Sequence, residues 1–180
     1  NKSSGFMATS LCEAASAMGA NVDLWLGNAV HKPGEWIKTN RFSTLIELKS
    51  LIKGKEKYNA VIVPAALSDF IPTVVKGKLD STEPISLKMK KAPKIIDSHR
   101  NQQKRLIYAF KLESRIKNDE VVKKAEGLLN NSDCVIANFS DAMGSKESKV
   151  AIVVKKKTEW IEGTKIELSK KILEKIASEL

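Results

Sequence analysis

The chain has 180 residues, a formal net charge of +10, 42% hydrophobic residues and only two cysteines. Its length is enough for one domain with a sizeable core. Cys12 and Cys134 lie far apart inside apolar segments, so the chain is not a disulfide-rich secreted protein, and we expect a cytoplasmic one. No apolar run of about 18 residues occurs, so we expect no membrane partner, and aromatic residues too seldom accompany basic ones to predict a nucleic-acid partner.

The first predicted elements are a helix and two short strands. Apolar residues recur at helical spacing from Phe6 to Met18, and Gly19 is placed to end this helix. Strands are predicted at residues 21–26 and 35–39. Because the sequence begins directly in front of the helix, we expect that the strand and loop before it are missing.

A second helix and a central strand come next. The sequence Thr44-Leu-Ile-Glu47 fits a capping box, and Gly54 closes the helix that it opens. Residues 59–65 form an apolar strand. Residues 71–84 contain two prolines and a glycine, which predict an excursion from the sheet that acts as a flexible flap. In the short strand before the second helix, Trp36 is expected to pack against its neighbours.

The remaining segments continue the alternation of strands and helices. They are a half-exposed strand at 85–89, a short helix opened by Pro93, strands at 106–110 and 133–137, a helix at 119–129, paired strands at 149–155 and 159–161, and a final helix at 168–180. Strands separated by helices predict an α/β fold class: a Rossmann-like, mostly parallel sheet with helices on both faces. We expect one domain over residues 1–180.

Charged residues follow the predicted strands where ligands bind in such sheets. Asp69 lies in the small-residue turn that follows the strand at 59–65, and Lys78 lies in the glycine-containing loop Lys76-Gly-Lys78. The carboxyl ends of parallel strands collect helix N-termini and loop donors. A carboxylate and lysines at this edge favour nucleotide phosphate chemistry, while a turn aspartate and a solvated surface lysine are the alternative interpretations.

The opening segment Asn1-Lys-Ser-Ser-Gly5 also has two interpretations. Its backbone N–H groups and the dipole of the next helix could hold a phosphate, or one of its serines could simply cap that helix. Phe110 likewise either packs in the core or stacks on a base. His31 and His99 have no partner at metal-ligand spacing and no Gly-x-Ser-x-Gly pattern occurs, so zinc and serine-hydrolase sites are excluded.

Six motifs, spread over nearly the whole chain, occur in a distinctive order. They are Asn1-Lys-Ser-Ser-Gly-Phe-Met7, Ala65-Ala-Leu-Ser-Asp-Phe70, Gly77-Lys78-Leu79, Leu87-Lys-Met-Lys-Lys-Ala-Pro-Lys-Ile95, Tyr108-Ala-Phe-Lys-Leu-Glu113 and Val135-Ile-Ala-Asn138. In this order they resemble the phosphopantothenate–cysteine ligase family, also called phosphopantothenoylcysteine synthetases. In bacteria and archaea this ligase is commonly the C-terminal half of a bifunctional flavoprotein.

The resemblance implies a ligase that joins 4′-phosphopantothenate and cysteine in coenzyme A biosynthesis. In such a reaction the carboxylate attacks the α-phosphorus of a nucleoside triphosphate, usually CTP, and pyrophosphate leaves. The amine of cysteine then attacks the acyl nucleotide. CTP or ATP is therefore implied as the cosubstrate and Mg²⁺ as its ion, and a basic chain suits the closely spaced negative charges.

The resemblance also implies roles for individual residues. Asn1 matches the asparagine that converts the acyl nucleotide, and Lys78 matches the flap lysine that assists its formation; both would be catalytic. The positions that match the nucleotide site are Ala65, Ala66, Asp69, Lys78, Ala92, Pro93, Lys94, Ile95, Phe110 and Lys124. The positions that match the substrate site are Ser3, Ser4, Gly5 and Asn138. The sequence does not indicate which residues bind the metal.

Two departures from the bacterial pattern leave the choice between CTP and ATP open. Lys78-Leu-Asp-Ser81 stands where many bacterial members have Lys-x-Lys-Lys, and Asn138 is followed by Phe139 instead of aspartate. The resemblance further implies a homodimer and a fused or partner flavin-dependent decarboxylase. The main alternative is a nucleotide- or dinucleotide-binding Rossmann-like oxidoreductase or regulatory domain, although the sequence lacks Gly-x-Gly-x-x-Gly.

Overall fold

The secondary structure is given by a computed structural model that describes residues 3–52, 58–74, 77, 85–100, 105–113, 117–139 and 147–180. The helices in these ranges are α1 (Phe6–Ala17), α2 (Leu45–Ile52), α3 (Ile95–Arg100), α4 (Asn118–Glu126) and α5 (Lys165–Glu179). The strands in the same ranges are β1 (Asp23–Leu26), β2 (Lys38–Arg41), β3 (Ala60–Val63), β4 (Phe70–Pro72), β5 (Met89–Lys91), β6 (Leu106–Glu113), β7 (Cys134–Phe139), β8 (Glu147–Val154) and β9 (Lys157–Thr164).

A five-stranded sheet with the order β3-β6-β7-β8-β9 lies at the centre of the protein. The strands β3, β6 and β7 are parallel, and β8 and β9 extend the sheet in antiparallel fashion. A separate pair joins β1 to β2 in parallel. The parallel strands of the central sheet are apolar runs such as Ala-Val-Ile-Val in β3, as expected for strands that are covered on both faces. The predicted α/β class with a mostly parallel sheet is therefore confirmed.

Helices cover both faces of the central sheet, as predicted. On one face, Leu11 of α1 and Leu168 and Ile172 of α5 share a core cluster with Tyr108 and Ile136 of the strands. On the other face, buried side chains of α4 pack against small residues of β6, β7 and β8. None of the helices in the described ranges is long and apolar enough to cross a bilayer.

The helices α1 and α5 lie side by side and begin at the same end of the sheet. Lys165 Nζ is 5.4 Å from the centroid of the Phe6 ring, and the Ser169 hydroxyl is 3.6 Å from the sulfur of Met7. Because β9 leads directly into α5 and runs parallel to β7, both helices begin where the parallel strands end. Two helix N-termini therefore point their partial positive charges at this end.

Side chains at the start of β1 join the β1–β2 pair to the segment that leads into β3. The Tyr58 hydroxyl donates a hydrogen bond to Asp23, and Lys38 Nζ lies 2.8 Å from the same carboxylate. Trp25 meets the Tyr58 ring edge to face, with 5.7 Å between centroids. Burial and the bond to Asp23 raise the pKa of Tyr58 to about 12, so the phenol remains a hydrogen-bond donor at neutral pH.

The second short strand differs from its prediction. It lies at Lys38–Arg41 instead of 35–39, and although Ile37 is buried, Trp36 is 72% exposed. The indole folds back over Gly34, where an added Cβ would stand only 2.2 Å from the ring. Trp36 thus packs against the turn before it and outside the core, whereas Ile37 packs in the core.

The strands β4 and β5 form an antiparallel ribbon outside the central sheet. The strand predicted at 85–89 is found at Met89–Lys91, where it pairs with Phe70–Pro72. The described residues of the predicted excursion thus leave the central sheet, as expected. The rest of the predicted flap, residues 75, 76 and 78–84, lies outside the described residues.

Cys134 is buried, as predicted, and Cys12 is partly buried against the cluster of Leu24, Leu26 and Ile37. Burial, with a smaller contribution from Glu13, raises the pKa of Cys12 to about 11, and burial raises the pKa of Cys134 to about 12. Since the thiolate is the reactive form, the folded protein should react slowly with Ellman's reagent at pH 8, and unfolding should release both thiols. Rapid labelling of either thiol before unfolding would contradict this placement.

Candidate functional site

The parallel strands end on one side of the central sheet, which we call the carboxyl edge. β3 ends at Val63, β6 at Glu113 and β7 at Phe139. Ligands bind at such edges because helix N-termini and loop backbone donors converge there. Of the predicted site residues, Asn1 and Lys78 lie outside the described residues, and the others can be placed relative to the carboxyl edge.

The start of α1 is shaped by the predicted substrate residues. Ser3 Oγ accepts the N–H of Gly5 at 3.4 Å, and Ser4 Oγ accepts the N–H of Phe6 at 3.3 Å. Gly5 has a φ of +80°, and a Cβ built on it would stand 2.6 Å from the Cβ of Ala29. Both serines therefore bond to the backbone that leads into α1, and only glycine fits the close approach to Ala29.

The loop after β3 and the segment after β5 meet beside this edge. The N–H of Ala92 donates to the backbone oxygen of Asp69 at 2.8 Å, so two predicted parts of the nucleotide site are neighbours. Ile95 is only 4% exposed and packs against α2, which makes its side chain part of the core. The exposed members of the predicted nucleotide set in this region are Ala65, Ala66, Asp69, Pro93 and Lys94.

Phe110 and Asn138 lie on the same face of two neighbouring strands. Phe110 of β6 pairs with Ile136 of β7, and Asn138 comes two residues after Ile136. Phe110 and Asn138 are therefore diagonal neighbours on one face of the sheet. Phe110 is partly buried against the core cluster beneath α1 and α5. Asn138 Oδ1 accepts the N–H of Phe139 at 2.7 Å. The predicted stacking ring and the predicted substrate amide are therefore close together.

An ion-pair cluster lies at the end of β6, on the face that α4 covers. Glu113 Oε2 is 2.8 Å from Lys124 Nζ, and its Oε1 is 3.0 Å from Lys111 Nζ. Hydrogen bonds from Lys124 and then Lys111 hold the pKa of Glu113 below its usual range. Lys124 is thus on the opposite face from Phe110. Glu113 and Lys111 are not among the predicted site residues, although charged residues that close an apolar strand are a signal for this edge.

Two open clefts lie beside β2, and the loop that lines the second continues to Ala29, the neighbour of Gly5. One of about 490 Å³ is lined by residues between Lys32 and Arg41, and one of about 280 Å³ is lined by Gly27, Asn28 and residues 41–43. The Glu47 carboxylate accepts the N–H of Ser43 at 2.7 Å and so occupies the N-terminus of α2. The protein's own carboxylate therefore takes the position that an anion would use there.

The side chains that could bind a metal ion are dispersed in the described residues. Within the ranges that the structure describes, no three His, Cys, Asp or Glu residues are grouped so that they could hold a metal ion. Mg²⁺ carried on nucleotide phosphates needs only one or two protein carboxylates. The exposed Asp69, beside the segment at 92–95, fits such a supporting role.

Comparison with known protein families gives a match over the whole chain. The model described as "DFP: DNA/pantothenate metabolism flavoprotein C-terminal domain" matches residues 1–180. The chain belongs to this family. Among curated DFP relatives, the Coenzyme A biosynthesis bifunctional protein CoaBC of Methanocaldococcus jannaschii is 33% identical over 98% of the chain and 45% of the relative. The CoaBC of Thermococcus kodakarensis is 32% identical over 85% of the chain and 40% of the relative. The chain thus spans about half the length of these relatives.

Solved structures show the same DFP fold. The DNA/pantothenate metabolism flavoprotein of Streptococcus pneumoniae superposes with a TM-score of 0.88 at 22% identity, over 100% of this chain and 90% of that one. The C-terminal domain of a CoaBC protein gives 0.77 at 24% identity, over 98% and 83%. A Cab2 variant in complex with phosphopantothenate-cysteine gives 0.73 at 17% identity, over 99% and 78%. At these identities the likeness concerns the fold.

Proposed function

We propose that this chain joins 4′-phosphopantothenate to cysteine through an acyl-nucleotide intermediate in coenzyme A biosynthesis. The observation that carries the proposal is the match of the DFP model to all 180 residues, with CoaBC relatives at 33% and 32% identity. The Cab2 structure adds support, because that protein of the same fold is described with phosphopantothenate-cysteine, the product of such a ligation.

The proposed reaction has two steps whose atoms balance. A carboxylate oxygen of 4′-phosphopantothenate forms a bond to the α-phosphorus of the nucleoside triphosphate, and the bond to pyrophosphate breaks. The amine of cysteine, after losing a proton, then forms the amide bond to the acyl carbon. The nucleoside monophosphate leaves with the carboxylate oxygen that attacked phosphorus. Both steps build negative charge that the protein must stabilise.

The proposed roles belong to residues that we assign to the carboxyl edge. Asn1 donates a hydrogen bond to the acyl oxygen, and Lys78 neutralises charge as the acyl nucleotide forms. Asp69 and the segment at 92–95, which are hydrogen-bonded neighbours, surround the nucleotide. The N-terminus of α1, with Ser3, Ser4 and Gly5, together with Asn138, contacts the substrate. Phe110 and Lys124 approach the nucleotide from opposite faces of the sheet.

We propose CTP or ATP as the cosubstrate, with Mg²⁺ bound mainly to its phosphates. The net charge of +10 suits a site that brings together a triphosphate, a phosphate ester and a carboxylate. We also propose that the chain works with a flavin-dependent decarboxylase, fused or separate, in a cytoplasmic pathway. The bifunctional names of the CoaBC relatives support this pairing.

A homodimer is part of the proposal, and the β4–β5 ribbon is its contact surface. Residues that alternate along the ribbon share one face, and Phe70, Val74, Leu87 and Met89 on it are 54%, 85%, 55% and 53% exposed. A two-stranded ribbon is marginally stable alone, and a self-complementary apolar patch suits a two-fold interface. We therefore place a second copy of the chain on this face.

Replacing Val74 by glutamate should convert the dimer into a monomer, because the charge would be buried at the interface. The change can be followed by light scattering or sedimentation at micromolar concentration. Val30→Glu is the matched control, since Val30 is 82% exposed and lies off the ribbon. Equal masses for the two variants would contradict this interface.

The activity is tested by incubating the full-length protein with 4′-phosphopantothenate, cysteine, Mg²⁺ and either CTP or ATP. Pyrophosphate release should require both acceptor substrates, and the amide product should be visible by mass spectrometry. Absence of product with either nucleotide would refute the ligase assignment. Tight binding of NAD(P) without binding of CTP or ATP would instead favour an oxidoreductase or regulatory domain.

A further inference from the structure

Glu113 links two lysines from different elements at the carboxyl edge. One carboxylate oxygen contacts Lys111 on β6 at 3.0 Å, and the other contacts Lys124 on α4 at 2.8 Å. The Glu113 side chain is only 15% exposed, while those of Lys111 and Lys124 are 37% and 50% exposed. The carboxylate is thus shielded beneath two ammonium groups that remain open to solvent.

This arrangement keeps two like charges together. Without the carboxylate, the two ammonium groups would repel each other and their long side chains would sample many rotamers. With it, the Lys-Glu-Lys cluster keeps a net charge of +1 and a defined geometry. An ammonium has three N–H donors, and one on each lysine serves Glu113, so the remaining donors can bind oxygens of an anion.

The position of the cluster indicates which anion it would meet. β6 is flanked by β3 and β7 in the sheet, and Glu113 comes three residues after Phe110 at the edge where ligands bind. Polyphosphates carry several oxygens at a spacing that two neighbouring ammonium groups can bind together. A nucleoside triphosphate at this edge would therefore gain from lysines that are already held in place.

We propose that Glu113 is a positioning residue that holds Lys111 and Lys124 as a preformed pair of cations for the phosphates of the nucleotide. The proposal rests on the proposed function, because it takes Lys124 as a nucleotide-binding residue and adds Lys111 to the same site. Glu113 itself would repel phosphate. It acts through the two lysines, which distinguishes its role from that of a group in direct contact with the ligand.

An ordinary surface ion pair would behave differently from a positioning residue. If Glu113 only neutralised two surface lysines, its removal would raise the local positive potential and nucleotide would bind at least as tightly. If it positions the lysines, its removal weakens binding although the chain gains a positive charge. The sign of the effect on nucleotide affinity therefore separates the two roles.

The test is calorimetric titration of the full-length protein with Mg·CTP and with Mg·ATP. Glu113→Gln should weaken binding of the accepted nucleotide about tenfold, the effect of one lost charge-assisted hydrogen bond, and Glu113→Asp should recover part of the loss. Lys124→Met should weaken binding by a similar factor. Adding Glu113→Gln to the Lys111→Met/Lys124→Met variant should cause no further loss of affinity, because Glu113 acts only through these two lysines.

Glu162→Gln is the matched control. Glu162 pairs with Lys149 at 2.6 Å on the outer strands β8 and β9, so its removal changes the net charge equally without touching β6. The Glu162→Gln variant should bind the nucleotide with the same affinity as the unmodified protein. In every variant, the melting temperature is measured alongside, so that a loss of fold is not taken for a loss of positioning.

Three outcomes would overturn the proposal. Unchanged or tighter nucleotide binding in Glu113→Gln would make the cluster a surface ion pair. A further loss when Glu113→Gln is added to the Lys111→Met/Lys124→Met variant would show that Glu113 does not act through these lysines. In both cases the nucleotide-using ligase remains. If the unmodified protein binds neither nucleotide, the proposed function fails and the positioning role fails with it.

Discussion

Replacing Lys78 by alanine should lower the turnover of the ligase about 100-fold or more, since a preorganised cation that stabilises charge in a transition state is worth that much. The proposed role requires Lys78 to neutralise the oxygens of the α-phosphate while the carboxylate attacks. The loss should appear in kcat, measured as pyrophosphate release at saturating nucleotide, more than in KM.

Lys155→Ala is the matched control for this loss of charge. Lys155 follows β8 at the end that lies opposite the carboxyl edge, so its removal should leave turnover nearly unchanged. A kcat for Lys78→Ala that equals the kcat of the control would remove the flap lysine from the mechanism and leave nucleotide activation without its proposed cation.

Replacing Gly5 by alanine should destabilise the protein by about 2–4 kcal/mol, the sum of a left-handed residue that is not glycine and an overpacked contact. Gly5 has a φ of +80°, and its new Cβ would meet the Cβ of Ala29 at 2.6 Å. Relief of this clash must shift the start of α1 away from the loop after β1. Substrate affinity should therefore fall together with the free energy of unfolding in urea.

Gly19→Ala separates the two contributions at Gly5. Gly19 has a similar φ of +87°, but nothing lies within 4 Å of a Cβ built there. This variant should lose only about 1 kcal/mol, the conformational part alone, and should bind substrate normally. Equal losses in the two glycine variants would show that the approach of Gly5 to Ala29 has no structural importance.

The spacing of apolar residues predicted well the helices that bury one apolar face against the sheet. The helix from Phe6 and the final helix both appear close to their predicted bounds, because their apolar stripes fit the same face of the sheet. Thr44 caps α2, with its Oγ1 accepting the N–H of Glu47 at 3.2 Å, but the return bond to Glu47 comes from the N–H of Ser43 instead of Thr44. A complete capping box lies at Thr164 and Glu167.

The bounds of β2 show where local prediction failed. The strand begins at Lys38 instead of Glu35, and Trp36 lies over Gly34 in the turn before it, outside the core. The pairing of β4 with β5 was likewise not predictable from spacing. It joins segments on either side of the flap, and such partners are chosen by tertiary contacts.

The candidate site also has a part that the sequence predicts and a part that depends on tertiary contacts. Residue types and motif order identified Asp69, the segment at 92–95, Phe110 and Asn138, and the structure places these in two neighbouring pairs. Sequence alone could not indicate that Glu113 joins Lys111 to Lys124, because the packing of α4 on β6 sets this contact. The inward position of Ile95 was predictable from the short helix that Pro93 opens, but its packing against α2 was not.

An acyl-nucleotide intermediate is the central step of the proposed reaction, and the transfer of a heavy oxygen isotope tests it most directly. The full-length protein would be given 4′-phosphopantothenate labelled with heavy oxygen in its carboxylate, together with cysteine, Mg²⁺ and the accepted nucleotide. Mass spectrometry should find one heavy oxygen in the nucleoside monophosphate and none in pyrophosphate. Heavy oxygen in orthophosphate, or an unlabelled nucleoside monophosphate, would contradict the account.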